Sequence, residues 1–196
     1  MKNRVKSLLV LAAMAAPALA LAHPGSLADH AHTGFWAGFA HPFTGLDHLA
    51  AMLAVGVWSA LAVRPVWVAP LAFVAMLAAG ALAGLAGLAV PGVEPMIAAS
   101  LLVIGLLVAT RARLPLWAAA LVTGVFAFFH GAAHGFELAG EQSLAALAGM
   151  VLATALLHVA GIGLGTVVMH RQRWISATAG ALVALLGAGL LLRLAA

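Results

Sequence analysis

The sequence predicts an all-α membrane protein with six transmembrane helices that follow a cleavable N-terminal signal peptide. Of its 196 residues, 65% are hydrophobic and only 7% are charged. Its mean hydropathy of +1.16 lies outside the range of soluble domains. Long apolar stretches alternate with short segments that carry arginine, glutamate or proline. The chain is therefore expected to be an integral membrane protein, with the lipid bilayer as one of its partners.

The N-terminus has the pattern of a secretory signal. It reads "MKNRVKSLLVLAAMAAPALALAHPGS", with a basic start, an apolar stretch from Leu8 to Ala22 and small residues in A-x-A spacing. That stretch is shorter than the roughly 20 residues that cross a bilayer. We predict a signal peptide over 1–22, a short periplasmic segment with histidines over 23–42, and a six-helix transmembrane domain over 43–196.

Charge and cysteine content limit the partners. Three of the nine basic residues lie in the signal region, and the remaining six exceed the five acidic residues by one, so no nucleic acid partner is expected. The sequence has no cysteine, so a metal would have to be held by imidazole, carboxylate, carbonyl or water. The sequence leaves open whether the chain forms a homo-oligomer.

Six apolar spans follow the signal, and their loops predict an orientation. The spans are 43–63, 66–90, 94–110, 115–136, 143–169 and 174–194. With the mature N-terminus in the periplasm, the loops on the cytoplasmic side carry Arg64, Arg111, Arg113, Arg171 and Arg173, and only Arg193 lies on the other side. An inner aromatic belt is predicted from Trp58, Trp67, Trp117 and Trp174. This pattern predicts a multi-pass membrane protein whose basic loops face the cytoplasm.

The first span opens with the polar motif "HPFTGLDH". Pro42 suits the first turn of a helix, so the helix is predicted to begin near Phe43 with His41 just before it. Asp47 and His48 then lie in the first two turns. Charged residues in a spanning segment are costly and usually serve a function.

The fourth span ends in the second polar motif, "FFHGAAHGFE". His130, His134 and Glu137 share one helix face, and imidazoles four residues apart can bind one metal ion. This motif reaches the outer side, as "HPFTGLDH" does. We therefore predict one transition-metal site shared by spans one and four; the alternative is helix cross-linking by hydrogen bonds.

For five other polar residues the sequence supports a structural interpretation as well as a functional one. Glu94 either complements the dipole of its helix or lies at the entrance, and His158 is either a packing residue or part of a pathway. His23, His30 and His32 form either a metal-capturing tract or a plain polar tail.

Three segments of the chain resemble the signature segments of the HupE/UreJ family of bacterial inner-membrane proteins: "HPFTGLDHLAAMLAVGVW", "PGVEPMIAASLLVIGLL" and "FFHGAAHGFE". The resemblance implies a permease that supplies nickel, with cobalt as an alternative, to hydrogenase or urease. It implies that the polar positions that matter are His41, Asp47, His48, Glu94, His134 and Glu137, with His130 completing the second motif. The metal would be the transported ion, with no cofactor permanently bound.

The residues alone leave other functions open. The chain contains no G-x-x-x-x-G-K-[ST] motif, so uptake would be facilitated or ion-coupled, without ATP hydrolysis by this chain. The chain is not expected to be an enzyme. The alternatives are an intramembrane zinc-dependent hydrolase and a membrane metallochaperone that does not transport its ion.

Overall fold

The computed structural model describes residues 34–137, 140 and 142–196, and within these ranges the chain is helical with no strand. The predicted signal peptide lies outside them. We number seven α-helices in chain order, with a π-helical turn at Gly165–Met169 after the sixth. They are α1 (Phe35–Thr44), α2 (Leu46–Ala62), α3 (Val68–Leu85), α4 (Val93–Thr110), α5 (Leu116–Glu137), α6 (Ser143–Leu164) and α7 (Arg173–Ala195).

The helices match the predicted spans, with one difference at the first. The helices α3, α4, α5 and α7, and α6 together with its π turn, are each long and apolar enough to cross a membrane. A sixth span exists only if α1 and α2 are counted as one broken span, because the two helices meet at an angle of 86°. The structure thus supports five to six spans.

The prediction that the first helix begins near Phe43 is wrong. His41 and Pro42 lie inside α1, which ends at Thr44, and Gly45 is extended with φ −99° and ψ 121°. Proline is tolerated there because it removes only one hydrogen bond, near the end of a short helix. Since the helix stops, the His41 carbonyl is free to accept a hydrogen bond from the Thr44 hydroxyl (2.7 Å). The break therefore falls after the proline, at the glycine.

Glycines let the helix backbones pack closely. A Cβ added at Gly80 in α3 would lie 2.0 Å from the Phe128 carbonyl oxygen in α5, and one at Gly131 would lie 2.0 Å from the Leu77 oxygen. Only glycine fits at such distances. Gly87 differs, because it takes a left-handed turn (φ 80°) with no neighbour near its Cβ position.

All the arginines in the described residues except Arg193 lie at the helix ends opposite to the polar motifs, and we call this end the arginine end. Here the indole nitrogen of Trp58 donates a hydrogen bond to the Ala112 carbonyl (2.8 Å). Trp58 is fully buried, so its predicted place in an aromatic belt is wrong. Trp67, Trp117 and Trp174 are exposed, as a belt requires.

Large apolar side chains cover the outside of the helices. Exposed leucines occur on each of the long helices, and a lipid bilayer would shield them from water. Examples are Leu71, Leu106, Leu121, Leu152 and Leu185.

Candidate metal-binding site

Four histidines from three helices converge at the end of the bundle opposite to the arginine end. His41 lies in the last turn of α1, His48 lies in the first turn of α2, and His130 and His134 lie near the end of α5. Ring centroids are 4.4 Å apart for His41 and His134, 4.5 Å for His48 and His134, and 5.0 Å for His48 and His130. We call these four residues the histidine cluster. The structure thus brings the two sequence motifs together.

Two carboxylates contact the imidazoles. Asp47 Oδ1 lies 2.9 Å from His48 Nδ1, and Glu137 Oε2 lies 3.3 Å from His134 Nδ1. A carboxylate accepts a hydrogen bond, so each contact places a proton on Nδ1 and leaves the lone pair on Nε2. This is how carboxylates orient metal-binding histidines in known sites. The two motifs therefore each supply an imidazole with its orienting acid.

Ser100 in α4 orients a third imidazole in the same manner. Its hydroxyl donates to the Ile97 carbonyl (2.6 Å) and lies 3.0 Å from His130 Nε2. Since the single hydroxyl proton is already donated, the oxygen accepts from His130 Nε2–H. The lone pair of His130 is then on Nδ1.

The nitrogens that carry these lone pairs have no hydrogen-bond partner in the described part of the chain. His48 Nε2, His130 Nδ1 and His134 Nε2 are buried and unpaired among the residues that the structure describes. Buried polar atoms are nearly always paired, because an unmet one costs about 1–3 kcal/mol. Three such atoms lie in one cluster, each on a ring that is hydrogen-bonded through its other nitrogen, and an unpaired imidazole nitrogen can act as a metal ligand. Imidazole nitrogen suits divalent nickel, copper, zinc and iron.

A shallower set of ligand atoms shares His134. One atom each from His41, His134 and Glu137 lies within 4.8 Å of the others, and His41 Nε2 is 3.8 Å from Glu137 Oε2. The side chains become less exposed with depth: 59% for Glu137, 32% for His41, 13% for His48 and 2% for His134. His130 is fully buried. The cluster therefore extends from the surface into the bundle.

The remaining predicted residues lie elsewhere. Glu94 is exposed in the first turn of α4, and no hydrogen bond or ion pair joins it to the described part of the chain, which fits the dipole interpretation. His158 is buried in α6, outside the cluster. His23, His30 and His32 lie outside the described residues.

Sequence reasoning missed Ser100. Its signal was available, because a serine stands alone in the apolar segment "MIAASLLVIGLL", six residues after Glu94. A hydroxyl in a spanning segment usually bonds to its own helix, however, so this signal could not have identified His130 as a partner.

The long apolar helices, with large hydrophobic side chains on their outer surfaces, indicate a multi-pass membrane protein. The histidine cluster gives this protein a candidate metal-binding site. The profile of the family described as "HupE / UreJ protein" matches residues 11–190. The chain is also 46% identical over 184 residues to "Protein HupE" of Rhizobium leguminosarum bv. viciae, covering 92% of this chain and 94% of that relative. The chain therefore belongs to the HupE/UreJ family. No solved structure matches it.

Proposed function

We propose that this protein transports Ni²⁺, with Co²⁺ as an alternative cargo, across the bacterial inner membrane and so supplies metal for hydrogenase or urease. Two observations support this proposal. One ligand atom each of His41, His134 and Glu137 lies within 4.8 Å of the others, and the neighbouring rings of His48 and His130 each carry a buried nitrogen without a partner in the described part of the chain. Family membership supports metal transport and a link to hydrogenase or urease maturation.

In this proposal the histidine cluster faces the periplasm. The arginines at the other end support that orientation, because basic loops are retained in the cytoplasm. An entering ion would first meet Glu137 and His41, which are the more exposed residues, and would then pass to His48 and His134. The tract with His23, His30 and His32 would raise the local metal concentration before entry.

Charge and ligand type explain how the ion could bind and still leave. Asp47 and Glu137 offset the charge of a divalent ion at a place where an uncompensated charge is costly. Neutral imidazoles provide affinity without a closed cage of thiolates, since the chain has no cysteine. A conducted ion must bind at several sites weakly enough to move on. The membrane potential, negative inside, would favour entry.

The test is Ni²⁺ flux into liposomes that contain the purified protein and a nickel-sensitive dye. The wild type should admit Ni²⁺, and Asp47→Ala should lower the initial rate by about 10- to 100-fold, the usual loss when a metal site loses an orienting partner. His134→Ala, which removes a proposed ligand, should lower the rate at least as much. The matched control is His170→Ala, which removes an exposed histidine at the arginine end and should leave the rate unchanged.

The outcomes separate the proposed functions. Stoichiometric zinc with no Ni²⁺ entry would contradict the permease and favour a hydrolase, whereas nickel binding without entry would favour a metallochaperone. Equal rates for the wild type and both site variants would show that the histidine cluster is not on the route. Glu94→Ala tests the entrance role, since an acid that only complements a helix dipole should not affect flux.

A further inference from the structure

His158 lies one ring beyond the histidine cluster. It is 1% exposed, and its ring centroid is 4.9 Å from that of Phe73 in α3. The Phe73 ring is in turn 5.8 Å from that of His130, the fully buried member of the cluster. A single aromatic side chain therefore packs against both imidazoles.

The described surroundings of His158 leave at least one of its ring nitrogens without a partner. Neither ring nitrogen has a hydrogen-bond partner among the described residues, although the backbone of Met52 approaches the ring. A histidine that serves only packing is normally hydrogen-bonded, because an unpaired polar atom in the bundle interior is costly. At least one of its nitrogens carries a lone pair that could bind a ligand.

Thr154 and His158 lie one turn apart on α6, and the sulfur atom of Met52 in α2 contacts Thr154. Thr154, one turn before His158, donates its hydroxyl hydrogen to Met52 Sδ (3.4 Å). Met52 is fully buried in α2, one turn after His48, so it follows the histidine cluster toward the bundle interior. An imidazole and a thioether are ligands for late transition-metal ions rather than for Mg²⁺ or Ca²⁺.

We propose that His158 and Met52 form a second, deeper binding site for the transported transition-metal ion, separated from the histidine cluster by the ring of Phe73. The inference rests on the proposed function for its cargo. An ion that leaves the cluster needs another ligand within the bundle, because the intervening ring of Phe73 is apolar and a bare divalent ion there is unfavourable. Two weak ligands suit a site that the ion occupies briefly.

The test combines flux with spectroscopy on the purified full chain, with Ni²⁺ as the probe. His158→Leu, His158→Gln and Met52→Leu should each lower Ni²⁺ entry into liposomes by about tenfold or more, comparable to the loss of a metal-site partner. They should leave equilibrium Ni²⁺ binding at the histidine cluster unchanged. Met52→Leu conserves volume and His158→Gln keeps a polar side chain, so at least one of these is expected to fold.

X-ray absorption of protein loaded with excess Ni²⁺ reports on the site directly. Because the chain has no cysteine, a sulfur atom bound to nickel must come from methionine. The wild type should show nickel–sulfur scattering that Met52→Leu removes. The control Met76→Leu, which changes an exposed methionine on α3, should retain both the scattering and the flux.

The deeper site would be overturned, and the permease retained, by the following result: the wild type transports Ni²⁺, His158→Gln and Met52→Leu transport it at the same rate, and no nickel–sulfur scattering is seen. No flux in the wild type, with a sulfur signal that Met52→Leu removes, would overturn the permease and leave the deeper site in place. Absence of both flux and sulfur scattering would overturn both.

Discussion

Replacing Ser100 by alanine tests whether the histidine cluster depends on a fixed proton position. Ser100 donates to the Ile97 carbonyl (2.6 Å) and accepts from His130 Nε2 (3.0 Å), which keeps the His130 lone pair on Nδ1. Without the hydroxyl, His130 Nε2–H loses its acceptor, and the ring is free to change tautomer or rotate. The variant should therefore bind Ni²⁺ more weakly even though Ser100 itself is not expected to touch the ion.

The magnitude follows from the loss of one orienting hydrogen bond. Removing such a partner typically weakens metal binding by about 10- to 100-fold. That range corresponds to about 1.4–2.8 kcal/mol of binding free energy. A buried donor without an acceptor costs about 1–3 kcal/mol, so the metal-free protein should also lose stability by an amount of this order.

The assay is equilibrium Ni²⁺ binding to purified protein, followed by calorimetry or by a filter assay with radioactive nickel. Thr110→Ala is a matched control on the same helix, because the Thr110 hydroxyl donates to the Leu106 carbonyl (2.7 Å) at the arginine end, where Thr110 is exposed. The double variant with His130→Ala should bind no more weakly than His130→Ala alone. A wild-type dissociation constant for Ser100→Ala would refute the assignment, and additive losses in the double variant would do the same.

Two further predictions concern stability, and thermal unfolding in detergent measures both. Gly80→Ala should destabilise the protein by about 1–3 kcal/mol, because the added Cβ would lie 2.0 Å from the Phe128 carbonyl oxygen. The control Gly163→Ala should not destabilise it, because nothing lies within 4 Å of the Cβ position there. Equal unfolding temperatures for the two variants would contradict the close helix packing. Arg111→Ala should lower the free energy of unfolding by about 1.5–3 kcal/mol, because the guanidinium donates to a hydroxyl in α7 and to carbonyls after α6. The control Arg113→Ala, at an exposed arginine, should have no effect. A larger loss for Arg113→Ala than for Arg111→Ala would show that these contacts contribute little.

Hydropathy and charge were enough to predict most of the helices, because a spanning helix needs a long apolar stretch and little else. The convergence of the two polar motifs was also predictable, since two clusters in spans of opposite direction reach the same side. The rotation of each helix about its axis was not. Whether Ser100 faces His130, or Trp58 faces the core rather than the lipid, depends on tertiary packing of helices that are apolar on every side.

The break at Gly45 was missed because local rules and tertiary contacts pointed in different directions. Pro42 favours a helix start, yet α1 forms around it. What holds α1 in place is its contact with α6, where a Cβ at Gly38 would lie 1.8 Å from the Ala146 carbonyl oxygen and one at Gly149 would lie 2.0 Å from that of Phe35. Such pairs are not visible in the sequence, since they join segments about a hundred residues apart.

The break is also what lets both histidines of "HPFTGLDH" reach the same partner. In a continuous helix, residues seven apart are separated by about 10.5 Å along the axis, at 1.5 Å per residue. Across the 86° bend, the ring centroids of His41 and His48 are only 6.2 Å apart, and each lies within 4.5 Å of the ring of His134. The position of His41 thus depends on the angle between α1 and α2, whereas His48 is fixed by its own helix. A change in that angle would move His41 away from His134 and Glu137 while leaving the His48, His130 and His134 rings together.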